Sequence, residues 1–216
     1  SYDGIHFERK ELLLTNGDYP MDLTCHVRDP KVWKKNGRWY MVQGARTKED
    51  QGVVLLFTSG DGVKWFCTHR LKSPKPFGFM WECPDLYEVD GHTVLSISPQ
   101  GVEADGLKYN NVYQSVTTFL DGDFRTTSVS GEFRELDGGF DFYAPQTMET
   151  ADGRRVIIGW MQSCEKAFLP EGFPWCGILS IPRELFLENG RLCQRPVREL
   201  ENYLKEKAVY PDVSIG

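Results

Sequence analysis

Positive charge is in short supply in this 216-residue sequence: 25 Lys and Arg stand against 31 Asp and Glu, a net charge of -6. That balance excludes the basic footprint of a nucleic-acid-binding protein. No apolar run approaches the roughly 20 residues of a spanning helix, so no helical membrane segment is expected. The opening Ser1-Tyr2-Asp3-Gly4 lacks the basic and then apolar regions of a secretory signal. It opens on a turn, as if the natural N-terminus lay upstream. The six cysteines (Cys25, Cys67, Cys83, Cys164, Cys176, Cys193) include no C-x-x-C pair and no zinc spacing. They read as small buried residues with free thiols, which leans towards a cytoplasmic protein, with secretion left open by the missing N-terminus. The four histidines, His6, His26, His69 and His92, show no i, i+4 pairing and read as surface or turn residues. Neither a metal nor another cofactor is expected.

Helical periodicity is scarce too, and strand and turn signals take its place. Three segments share one pattern: a polar residue, a proline, an apolar run, a turn and a second apolar run. They are RDPKVWKKNGRWYMV (28–42), ECPDLYEVDGHTVLSI (82–97) and YAPQTMETADGRRVIIGW (143–160). Their prolines, Pro30, Pro84 and Pro145, set a repeat of about 54 to 61 residues. Asn36-Gly37, Asp90-Gly91 and Asp152-Gly153 are two-residue turns of the kind that close β-hairpins. A second set of turns lies between them, in Ser1–Phe7 and Ser59–Trp65, and more loosely in Leu120–Phe124. Two hairpins per repeat make a four-stranded antiparallel unit, which is a propeller blade.

The predicted fold is therefore all-β, a partial β-propeller over residues 1–195. Residues 1–14 read as the outer half of one blade. Three fuller repeats follow, and Ile178–Cys193 begins or closes another. The innermost strands of at least one blade are missing from this count, so the propeller is not expected to close from this chain alone. Pro196, Val197, Leu200 and Leu204 have helical spacing, so a short linker helix and tail are expected over 196–216.

Inner strands of a propeller converge on its axis, and the repeat puts Arg28-Asp29, Glu82 and Asp141/Tyr143 at the equivalent place. Three carboxylates around one axis suit glycosidic bond cleavage: one protonates the leaving oxygen while others stabilise or attack the sugar. Glu82 lies among Phe79, Met80, Trp81 and Cys83, an apolar setting that would favour a protonated acid. Asp29 lies beside Arg28, whose guanidinium would favour an ionised carboxylate able to hold two sugar hydroxyls. Asp29 precedes its proline by one residue and Glu82 by two. Strict alternation would send them to opposite faces, so the reading requires irregular backbone there. Trp81, Trp160 and Trp175 are candidates for stacking on sugar rings, with packing an equal alternative for the last two. Trp33, Trp39 and Trp65 read as core.

At these residues the sequence resembles glycoside hydrolase family 32, which contains invertases, sucrose-6-phosphate hydrolases and fructan hydrolases. Arg28-Asp29-Pro30 is similar to the family's R-D-P motif, Glu82-Cys83-Pro84 to its E-C-P motif, and Asp141-Phe142-Tyr143-Ala144 to its D-F-Y-A segment. Trp175–Leu185 resembles the stretch that closes the last blade. The resemblance implies a five-bladed propeller, with Glu82 as acid/base and Asp29 as transition-state stabiliser. It also implies substrate contacts for Arg28, Trp81, Cys83, Asp141, Tyr143 and Trp160. The implied reaction is retaining hydrolysis of a small β-fructofuranoside. The family's W-M-N-D-P-N-G segment, which carries the nucleophile, has no counterpart here, and neither does its C-terminal β-sandwich. Residues 1–216 alone are thus expected to be inactive, and to self-associate or need a complementing N-terminal fragment. The alternatives are a non-catalytic fructoside-binding or inert propeller piece, and a related furanosidase acting on arabinan or xylan.

Overall fold

A computed structural model describes residues 1, 3–139, 141–162, 172, 174–175 and 177–205. Among them, twelve strands form three four-stranded antiparallel sheets, each built from consecutive strands. The first blade holds β1 (Leu23–Lys35), β2 (Arg38–Thr47), β3 (Gly52–Ser59) and β4 (Phe66–Leu71). The second holds β5 (Met80–Val89), β6 (His92–Gln100), β7 (Val116–Leu120) and β8 (Arg134–Glu135). The third holds β9 (Tyr143–Glu149), β10 (Arg155–Trp160), β11 (Arg183–Glu188) and β12 (Arg191–Pro196). The repeat is thus a blade, and 178–193 closes the third blade with its two outer strands.

The turns follow their residues. Asn36 and Gly37 sit at φ 50° and 78°, and Asp90 and Gly91 at 47° and 78°. Positive φ at both positions is the two-residue hairpin geometry that Asn-Gly and Asp-Gly favour. Asp152-Gly153 departs from the expected two-residue turn. Its loop runs from Thr150 to Arg154, closed by the Thr150 N–H on the Arg154 carbonyl at 2.9 Å, and only Gly153 of the pair has positive φ.

Apolar alternation on the strands builds cores between blades. Val42, Val54 and Leu56 of the first pack with Trp81, Leu95, Ile97 and Val116 of the second. Tyr87 and Val94 of the second pack with Phe142, Ile157 and Leu185 of the third. The other face of the first blade buries Met41, Val53, Leu55 and Phe57, with Leu14 and Tyr19 against them.

The two ends differ in outcome: the N-terminal half-blade is not formed, while a short helix is present near the C-terminus. The described residues of 1–14 form no strand, because no described strand lies beside them to complete a ladder. The described segment is exposed up to Leu13 and leads into a short 3₁₀ turn, Asn16–Asp18, with Leu14 and Tyr19 packed on the first blade. The linker helix is a 3₁₀ helix at Arg198–Tyr203, with Leu200 N–H bonded to the Val197 carbonyl and Leu204 N–H to that of Glu201. Its few apolar residues are largely exposed, so no packed face extends it into an α-helix. The predicted tail beyond residue 205, together with Cys164 and Cys176, lies outside the described residues.

Candidate active site

The inner strands β1, β5 and β9 lie side by side, and each carries the same irregularity. Arg28 and Lys31 pair with Gly44 and Val42, so three steps on β1 match two on β2. Glu82 and Asp85 pair with Ser98 and Ser96 in the same way, and Tyr143 and Gln146 with Trp160 and Ile158. In each bulge the residue before the proline has left-handed backbone: Asp29 at φ 59°, Cys83 at 46°, Ala144 at 50°. The proline contributes no N–H, so the ladder loses little where it is interrupted. One extra residue re-aims the side chains that follow it. The irregular backbone that the motif spacing requires is therefore present three times, and it brings Asp29 and Glu82 to one place despite their unequal distance from proline.

Glu82, with 15% of its side chain exposed, is held from two sides. Its Oε1 accepts Arg28 Nε at 2.9 Å and Nη2 at 2.8 Å. Its Oε2 accepts a short hydrogen bond from the Tyr143 hydroxyl, which comes from the third blade. Arg28 Nη1 lies 3.0 Å from His26 Nδ1. Asp29 Oδ2 accepts the Cys83 N–H at 3.0 Å and the Cys83 thiol at 3.6 Å. Burial, reinforced by the charges of Asp29 and Glu82, pushes the Cys83 thiol up to about 12. It therefore works here as a neutral donor and not as a nucleophile.

These contacts rearrange the expected roles. Arg28 turns to Glu82 instead of Asp29, because the bulge points neighbouring side chains apart. Glu82 is not wrapped by its apolar sequence neighbours; Met80 and Trp81 face the core while Glu82 meets a guanidinium and a phenol. Trp81 is 0% exposed, its indole N–H donates to the Phe77 carbonyl at 2.7 Å, and its ring meets Phe133 edge-on. It is a core residue and cannot stack on a sugar. Tyr143 is buried and contacts Glu82 itself, with Tyr113 beside its ring. Asp141 is half-buried, and its Oδ1 is enclosed without a hydrogen-bond partner among the described residues. Trp160 is half-buried next to Tyr143 in register, with the Gly177 turn against its indole. Trp175 is exposed. His69 and His26 lie on strands, not turns, and His69 Nε2 lies 2.6 Å from the Thr127 carbonyl. The sequence reading assigned no part to His26, Lys31 or Gln146, although Lys31, Asp85 and Gln146 each follow a repeat proline.

A carboxyl group fixed by an arginine and a tyrosine lies beside a second carboxylate on bulged inner strands of a propeller-type fold. Comparison with known proteins identifies the family. The profile described as Glycosyl hydrolases family 32 N-terminal domain matches residues 1–196, and the chain belongs to that family. It is 43% identical over 206 residues to the raffinose invertase of Escherichia coli, covering 94% of this chain and 42% of that protein. To the sucrose-6-phosphate hydrolase of Bacillus subtilis (strain 168) it is 42% identical over 214 residues, covering 93% and 43%. The structure is similar to the GH32 β-fructofuranosidase BmSUC1 of Bombyx mori, with TM-score 0.85 and 38% identity, covering 97% of this chain and 45% of that one. A variant of that enzyme solved in complex with sucrose gives TM-score 0.80, also at 38% identity, covering 89% and 41%. The chain thus spans less than half the length of the relatives it matches.

Proposed function

We propose that these residues form the acid/base side of a retaining β-fructofuranosidase acting on sucrose or a closely related fructoside. The observation that carries the reading is the Glu82 carboxyl, nearly enclosed and gripped by Arg28 and Tyr143, with Asp29 presented from the neighbouring bulge. In the first step Glu82 carries a proton and passes it to the glycosidic oxygen as the bond to the anomeric carbon breaks. A carboxylate on the opposite face of the ring takes the sugar as an ester. In the second step ionised Glu82 takes a proton from water, which attacks the same carbon and releases fructose. Arg28 and Tyr143 hold the carboxyl aimed through both steps, and Asp29 accepts hydrogen bonds from fructosyl hydroxyls as charge develops on the ring.

Residues 1–216 supply one member of this pair, so by themselves they bind or do nothing rather than turn over. The opposing carboxylate must stand about 5 to 5.5 Å away. Cys25 and Cys67 are exposed and Cys83 and Cys193 partly buried, not the buried residues expected; as free thiols they would suit a reducing, cytoplasmic compartment. The deciding experiment is sugar release by the enzyme that carries this segment. Free fructose from sucrose supports the reading, free pentose from arabinan or xylan points to the related furanosidases, and no sugar from either overturns catalysis.

A further inference from the structure

Just beyond each bulge the three inner strands meet again. Lys31 follows Pro30, Asp85 follows Pro84 and Gln146 follows Pro145. Asp85 has 1% of its side chain exposed, and no step of the chemistry above uses it. Its Oδ2 accepts the Thr147 N–H at 2.6 Å and Lys31 Nζ at 3.3 Å. Lys31 Nζ donates in addition to the Thr147 carbonyl at 2.6 Å and to Gln146 Oε1 at 3.2 Å. Gln146 Nε2 reaches back to the Cys83 carbonyl at 3.2 Å, inside the second bulge. One ammonium and one carboxylate thus join β1, β5 and β9 next to the residues that present Asp29, Glu82 and Tyr143.

Packing does little of this work at the same level. A cavity of about 390 Å³ opens there, lined by Lys31, Trp33, Asp85, Tyr87 and Arg155 among others. An apolar filling would let adjacent strands slide, whereas bonds to both the N–H and the C=O of Thr147 set β9 in one register against β1 and β5. A buried pair is a poor source of net stability and a good device for fixing register.

We propose that Lys31 and Asp85 are positioning residues for the acid/base site. They set the spacing of the three bulges, so that Arg28 and Tyr143 reach Glu82 from opposite sides and the Cys83 N–H reaches Asp29. The catalytic part of this inference rests on the function proposed above.

The test is the double variant Lys31→Met/Asp85→Asn, which removes both charges and leaves no buried ion alone, made in the enzyme that carries residues 1–216. It should unfold in a single cooperative transition. Its kcat on sucrose should fall about tenfold to a hundredfold, the scale of a misplaced catalytic group, while KM moves less than about threefold. Hydrogen exchange of the peptide containing Cys83 should quicken about tenfold or more, with the peptide from β3 unchanged, as local loosening predicts. Asp85→Asn alone, which keeps an acceptor for Thr147, should lie between. If the double variant does not fold, Lys31→Gln is read by the same two measurements. A folded variant with wild-type kcat and wild-type exchange at Cys83 overturns the proposal. If the wild type releases no fructose, the proposed activity fails, while the exchange at Cys83 still decides whether the pair positions the bulges.

Discussion

Glu82 and Asp29 have different chemical surroundings, and substitution should separate them. Glu82→Gln keeps the shape and the contact with Arg28 but can neither give nor take the proton. In the enzyme carrying this segment, sucrose turnover should fall on the order of a hundredfold or more. An aryl fructoside, whose leaving group needs little protonation, should be partly spared in its first step. Near-normal sucrose hydrolysis would remove Glu82 from the mechanism. Asp29→Asn should lower kcat as well as affinity on the proposed role, in which its carboxylate holds fructosyl hydroxyls more tightly as charge develops. Steady-state kinetics that show only a raised KM would reduce Asp29 to ground-state binding. Both residues were legible in the sequence, because each stands just before a repeat proline, Asp29 by one residue and Glu82 by two. Their partners were not. Arg28 neighbours Asp29 in the chain, yet its guanidinium lies on Glu82, since side-chain direction at a bulge depends on backbone that sequence spacing does not specify.

The element that decides the site is the bulged inner strand with the strand behind it. Gly44 of β2 stands opposite Arg28, where the blade presses against β5. A Cβ there would lie 1.9 Å from the Trp81 carbonyl oxygen and 3.4 Å from Glu82 Cα. Gly44→Ala must push the backbone that carries Glu82. It should cost about 1 to 3 kcal/mol in a urea titration and lower kcat at temperatures where the fold persists. An unshifted midpoint with full activity would mean that the two strands separate freely here. Hairpins with Asn-Gly and Asp-Gly were readable because those pairs adopt positive φ at little cost. The linker helix was readable as a short helix, but its 3₁₀ form was not, because apolar spacing indicates a face only where something packs on it.

For the whole molecule, the described residues build three blades, while the relatives are more than twice as long in coverage terms. Apolar side chains stay exposed on both flanks: Ile5, Phe7 and Leu12 near the first blade, and Met148, Leu179 and Ile181 on the third. Patches of that kind invite association. The purified 216-residue chain should release no detectable fructose from sucrose and should run above 24.8 kDa by light scattering. Steady turnover by a homogeneous chain would mean that another carboxylate within it attacks the sugar. A well-behaved monomer would mean that these surfaces are tolerated in water.

What the sequence determined by itself was periodic: strand alternation, turn residues and a repeat anchored on Pro30, Pro84 and Pro145. Those features are local, and local sterics and burial are enough to express them as blades. Which side chains face one another around the axis was left to tertiary structure. The Arg28–Glu82–Tyr143 contact joins all three blades, the Lys31–Asp85 pair ties β9 to the other two inner strands, and Trp81 lies in the core one residue from Glu82. Each depends on how far a left-handed residue before proline turns the strand, and on which neighbouring blade then stands within hydrogen-bonding distance.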